Sequence, residues 1–275
     1  MTISQKELIG RLLFIAVMLV LFMTGCQRHE YEVLHSPYKV TDQLDNTREY
    51  RVFVPSYESD KKLPLLVYFH GVRSDCFQKK YPALKNYTGS PIEETGLIEF
   101  CKTNRIVLLV PEPKYEFIFL NCICKGWGPF KKEIDGIEKI IDSVVEKLPI
   151  NKKRIFLAGL SAGAVLTFHL ANRRPEFYNS ILSHSQGSMY ENVQYMMPSK
   201  KGPRFGVVLG YTKGDYTNLI QICIETEKIY KKYNYRVELM KNLPPDTHRW
   251  SITSNAVFWN NLNKLGQYPI DSQKN

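Results

Sequence analysis

Seven short apolar runs, separated by segments patterned as helices, limit what this chain can fold into more than any other feature of its 275 residues. The runs are 49–54 (EYRVFV), 65–70 (LLVYFH), 105–110 (RIVLLV), 154–158 (RIFLA), 178–183 (YNSILS), 205–210 (FGVVLG) and 235–240 (YRVELM). Several are apolar at consecutive positions rather than alternate ones, the pattern of strands covered on both faces. Between them, Ile134, Ile137, Ile140, Ile141, Val144, Val145 and Leu148 recur at three- and four-residue steps, which predicts a helix over 132–147. Further helical patterns follow Ser161, cover 217–233 and run over 250–263. The alternation predicts an α/β fold, a mostly parallel central sheet with helices on both faces. In such sheets functional residues gather at the C-terminal ends of the strands.

A hydrophobic fraction of 44% with 12% aromatic residues supplies one large core, and no repeat or Ser/Gly linker marks a second domain. The first residues stand apart. Lys6 and Arg11 precede an uncharged run from Leu12 to Met23, the layout of a signal peptide. As a helix that run spans roughly 18 Å against a hydrocarbon core of ~30 Å, too short to cross it. It ends in "FMTGC", which resembles the bacterial lipobox, with Met23 where an aliphatic residue is usual. That resemblance implies removal of 1–25 and a lipid on Cys26, which leaves a tether over 26–44 and one main domain over 45–275. It also implies a lipid-anchored place in the bacterial cell envelope, at a membrane surface without spanning it. A simple cleaved signal peptide and an uncleaved anchor are the alternatives.

The net charge of +10 is carried by scattered pairs such as Lys61-Lys62, Lys152-Lys153 and Lys231-Lys232. Without a basic block or an aromatic-interleaved stripe, this reads as a solvated surface and not as a nucleic-acid site. Setting Cys26 aside leaves an odd set: Cys76, Cys101, Cys122, Cys124 and Cys223. In an oxidising compartment one bridge from Cys122 or Cys124 to Cys76 or Cys101 is expected. Cys-Ile-Cys lacks the spacer of structural zinc ligands and no histidine follows at metal spacing, so no metal is expected.

The chemistry-bearing segment is "RIFLAGLSAGAVLTFHLA". Gly159-Leu160-Ser161-Ala162-Gly163 falls between a predicted strand and a predicted helix, the setting of a nucleophile elbow, in which small neighbours permit a tight, strained turn. A plain Gly-Ser turn would ask nothing more of the chain. A nucleophile asks for an acid and then a histidine, each after a later strand. Asp215 follows the strand at 205–210, and His248 is the histidine that comes after it, beyond the last predicted strand. Asp246 is an alternative acid. The oxyanion donors are expected at the Ala162 N–H and, from the strand end "YFHGVRSD", at Val72 with Gly71 in reserve. Trp127, in the aromatic segment 115–130, and Tyr195 or Met196, in "MYENVQYMMP", are candidate substrate contacts. His70 is read as ordering its own loop, His169 as packing, and His184 has no assigned role.

Together these residues resemble the α/β-hydrolase superfamily and, within it, esterases similar to polyhydroxybutyrate depolymerases and feruloyl esterases. The resemblance covers most of 45–260, best in "PLLVYFHG", in the stretch from "KEIDG" to "RRPEFY", and around Asp215 and His248. The chain departs from that group in a glycine-poor oxyanion loop, a longer Asp215 turn and "SHSQG" at 183–187. The resemblance implies a serine ester hydrolase that needs no cofactor and takes a small-molecule or polymeric ester. A serine peptidase on the same fold and a non-catalytic binding lipoprotein are the other readings.

Overall fold

The computed structural model describes residues 32–33, 38–41, 47–57, 61–73, 90–119, 122–127, 130–190, 194–199 and 202–266. The leader 1–25, Cys26, most of the tether and Cys76 lie outside the described residues. No helix among the described residues is long and apolar enough to cross a membrane.

Among the described residues the core is a nine-stranded sheet. Its N-terminal edge is antiparallel: β1 (Glu32–Val33) and β2 (Tyr38–Thr41) pair with β3 (Thr47–Val54), which pairs with β5 (Val107–Pro111). From β5 the order runs through β4 (Leu63–Phe69), β8 (Ile150–Leu160), β9 (Ser180–His184), β12 (Gly206–Thr212) and β13 (Val237–Leu243), all parallel. Every residue of β4, β5, β9 and β12 is buried, as their consecutive apolar positions require of strands covered twice.

The two faces carry separate cores. On one, α2 (Phe130–Lys147), α3 (Ala162–Arg173) and α4 (Thr217–Lys232) cover Val67, Phe69, Leu157, Ile181 and Leu209. The α2 stripe of Ile137, Ile140 and Ile141 is wholly buried, each side chain contributing roughly 1.5–3 kcal/mol. On the other, α1 (Leu97–Thr103) and α5 (Asn255–Gly266) cover Leu66, Tyr68, Phe156 and Val208.

Two expectations need correction. The segment 115–126 is a hairpin, β6 (Tyr115–Phe119) against β7 (Cys122–Gly126), tied to the chain after β4 by paired backbone bonds between Arg73 and Lys125. Cys101 forms no disulfide: it is a free thiol, fully buried on α1. It belongs to the core of one face, whereas Trp127, just after β7, belongs to the other. Burial pushes the Cys101 thiol far up, as befits a packed, unreactive position. The other small hairpin joins β10 (Met189–Tyr190) to β11 (Gln194–Tyr195). The Tyr195 side chain is outside the described residues.

Candidate active site

Ser161 stands between β8 and α3 with φ 54° and ψ −118°. A serine held there is strained by about 1–3 kcal/mol, so its surroundings must enforce the turn. They do so by close approach. A Cβ on Gly163 would lie 2.2 Å from the Phe69 carbonyl oxygen, and one on Gly159 would lie 2.3 Å from the Gly163 backbone. The two glycines therefore let the start of α3 press against the ends of β4 and β8. The Ser161 N–H donates to the His184 carbonyl at 2.9 Å, fixing the turn to the next strand of the sheet.

Asp215 and His248 meet beyond β12 and β13. The His248 Nδ1 is 2.6 Å from Asp215 Oδ1, with both side chains buried. Oδ2 of Asp215 accepts from the Thr212 N–H and the Ser185 hydroxyl, each at 2.7 Å. Burial alone would raise this carboxyl; the hydrogen bond and charge of His248, with the bonds from Ser185 and Thr212, outweigh it and hold the group below its ordinary range. Asp246, the alternative acid, is exposed, and its carbonyl packs where a Cβ of Gly214 would come within 2.1 Å. The loops bearing Asp215 and His248 are joined there and by the Thr212 hydroxyl donating to the Thr247 carbonyl at 2.8 Å. Two residues past His248, the Trp250 ring stacks on His184 at 5.4 Å between centroids. This brings the histidine loop to the strand whose last carbonyl holds Ser161.

Gly71 and Val72 follow β4, and Ala162 opens α3, where helix geometry leaves the first amides without intrahelical partners. The Trp127 indole N–H donates to the His70 carbonyl at 2.6 Å, and His70 Nδ1 lies 2.5 Å from the Gly71 carbonyl. Each carbonyl shares a rigid peptide plane with the next N–H, so these contacts aim the amides of Gly71 and Val72 respectively. Trp127 itself is buried, its ring 5.3 Å from Phe69. Met196 is half-buried against the core.

Sequence reasoning passed over Ser185 and left His184 without a role; the departure "SHSQG" was the available signal. Tyr216, next to Asp215, is a further neighbour: it is exposed and its ring stands 6.0 Å from that of His248. Among the described residues no three His, Cys, Asp or Glu side chains are grouped as a metal centre.

The sequence matches the Phospholipase/Carboxylesterase family over residues 128–259, the stretch that contains Ser161, Asp215 and His248. No curated protein matches the chain. Solved structures do. S-formylglutathione hydrolase from Staphylococcus aureus aligns at a TM-score of 0.57 and 14% identity, covering 86% of this chain and 99% of its own. A CE1 ferulic acid esterase from Anaeromyces mucronatus aligns at 0.57 and 16% identity, covering 87% and 93%. A candidate dipeptidyl aminopeptidase IV from Bacteroides ovatus aligns at 0.64 and 12% identity, covering 88% of this chain but 36% of that one. By its sheet order and these matches, the chain has the α/β-hydrolase fold and is similar over 128–259 to the phospholipase/carboxylesterase family.

Proposed function

We propose that the protein is a serine carboxylic-ester hydrolase acting through Ser161, His248 and Asp215 by way of an acyl-enzyme. The observation that carries this reading is a buried, hydrogen-bonded Asp215–His248 pair beyond β12 and β13, at the same end of the parallel strands as the strained serine that follows β8. His248 takes the Ser161 hydroxyl proton at Nε2 as the oxygen attacks the ester carbonyl. Asp215 keeps the other ring nitrogen protonated and stabilises the imidazolium. The amides of Ala162 and Val72, with Gly71 in reserve, receive the tetrahedral oxyanion. His248 then returns the proton to the leaving alcohol, and water attacks the acyl-enzyme to release the acid and restore Ser161.

The likeness to the ferulic acid esterase and S-formylglutathione hydrolase structures supports an ester or thioester over an amide. Peptide hydrolysis is the second reading, favoured by the likeness to the Bacteroides ovatus structure. Labelling with a fluorophosphonate, with S161A as control, tests the mechanism: label on the wild type and none on S161A is expected, and equal labelling of both refutes it. A panel of acyl, feruloyl, acetyl-sugar and peptide substrates then separates ester from amide. Lipid anchoring at Cys26 in the envelope is part of the proposal, on the strength of the Leu12–Met23 run and "FMTGC". Detergent-phase partition that C26A abolishes is the expected result.

A further inference from the structure

Behind the Asp215–His248 pair lies a second buried pair that the acyl-transfer scheme does not use. Ser185 follows β9 with φ 58°, a conformation that non-glycine residues seldom adopt. It is held there by its N–H, which donates to the Gly210 carbonyl of β12 at 2.6 Å. Its hydroxyl sits between two partners: His184 Nδ1 at 2.7 Å and Asp215 Oδ2 at 2.7 Å.

The proton inventory of this chain has one solution. An ionised Asp215 can only accept, so the single Ser185 proton is directed at Oδ2, and His184 Nδ1 must supply the hydrogen that the Ser185 oxygen accepts. His184 Nε2 is then the unprotonated nitrogen. It is buried without a hydrogen-bond partner, a position that a bare acceptor tolerates better than an N–H does. The ring is enclosed by Trp250, stacked at 5.4 Å, and Phe258, edge-on at 5.5 Å. The titratable groups acting on it are Asp215, which favours its cation, and His248, which opposes it. Burial, aided by His248, outweighs Asp215 and pushes His184 down to about 4, so the ring stays neutral and its tautomer fixed through the neutral range.

We propose that Ser185 and His184 are positioning residues for the acid–histidine pair, forming a directed hydrogen-bond chain that locks Asp215 Oδ2 so that Oδ1 holds the Nδ1–H of His248. This rests on the acyl-transfer reading of the same site. With Oδ2 taken by Ser185 and the Thr212 N–H, the carboxylate cannot rotate away from His248, which leaves the imidazole Nε2 as the nitrogen available to act as base. The chain lies at "SHSQG", the stretch where this sequence departs from the esterases it resembles.

Two measurements test it. In long-range 1H–15N spectra of histidine-labelled protein, His184 is expected to carry its proton on Nδ1, unchanged from about pH 5.5 to 9. A proton on Nε2 overturns the proposal. In kinetics, S185A and S185G both delete the hydroxyl, and glycine also relieves the backbone strain, so agreement between them isolates the hydrogen bond. Each is expected to lower kcat about tenfold, the worth of one hydrogen bond to a charged group, with KM within about twofold. Both should move the acidic limb of kcat/KM to higher pH, because a carboxylate with one donor fewer holds the imidazolium more tightly. H184N, whose amide can still donate to Ser185, should stay near wild type while H184L falls with S185A. Wild-type kcat and an unmoved acidic limb in both Ser185 variants overturn the proposal. If Ser161 takes no fluorophosphonate label, the acyl-transfer reading fails instead, and the His184 tautomer and the His248 Nδ1–H resonance in S185A still decide whether the chain exists.

Discussion

The sharpest test of the elbow is G163A. The added methyl would meet the Phe69 carbonyl oxygen at 2.2 Å, the Phe69 carbonyl carbon at 2.6 Å and the His70 carbonyl oxygen at 2.6 Å. All three are backbone atoms, so no side chain can swing aside, and restoring ordinary contact near 3.4 Å requires about 1 Å of separation between α3 and the end of β4. Overpacking of this kind costs roughly 1–3 kcal/mol, and at about 2–4 °C per kcal/mol for a domain this size the melting temperature should fall by ~5 °C or more. Activity should fall further than stability. The two parts forced apart carry the nucleophile and the oxyanion amides, and a displacement of ~1 Å is worth about a hundredfold in rate. The assay is kcat/KM on the best ester of the panel, paired with thermal melting. Gly202 supplies the control: at φ +94° with no atom within 4 Å of a built Cβ, G202A introduces backbone strain without a clash, and should lower stability while leaving kcat unchanged. A G163A protein with kcat/KM within about threefold of wild type would show that the close approach does not set the catalytic geometry.

Three further outcomes are expected. W127F removes the indole donor to the His70 carbonyl and should lower kcat about tenfold, less than the ~10²-fold or more of a lost oxyanion donor, because Trp127 acts through the loop; unchanged steady-state kinetics would refute that role. Arg48 and Glu133 form an ion pair with both side chains almost wholly buried, so R48A strands a carboxylate that burial already pushes up; chemical denaturation should show a loss of about 3–5 kcal/mol. His184 titrates at about 4 when folded against ~6.5 unfolded, so the unfolded chain binds the proton first. Stability from this residue is therefore complete above pH ~6.5 and lost as pH falls toward 4, by of order 3 kcal/mol, and H184N should flatten that part of the stability-against-pH curve.

The seven apolar runs became β3, β4, β5, β8, β9, β12 and β13; β4, β5, β9 and β12 were the most legible, because strands covered on both faces write their burial into every position. Edges shifted by up to four residues: 154–158 lengthened to Ile150–Leu160, since exposed Lys152 and Lys153 hide the strand's start. The hairpin at 115–126 was illegible for a different reason. Its strands pair with each other and not with the central sheet, so the alternation of sheet strands and helices does not reveal it. Order and spacing alone singled out Ser161, Asp215 and His248, and the structure sets Ser161 on a strained turn and joins Asp215 to His248. Ser185 was not, because its role depends on a lateral relation: strand register sets His184 beside Gly210, and only that pairing brings the next residue's hydroxyl to Asp215. Cys101 was misread because a cysteine count carries no information about which side of a sheet each thiol faces.

The parallel order β4–β8–β9–β12–β13 has a consequence for a shortened chain. Each of these strands leads into one candidate component: the oxyanion loop, Ser161, the His184–Ser185 pair, Asp215 and His248. On the proposed acyl-transfer reading, a chain that stops before the end of β13 keeps the serine and lacks the base, so it is expected to be inert toward esters. The segment that completes the set is the one after β13, seated by the Trp250 ring on His184.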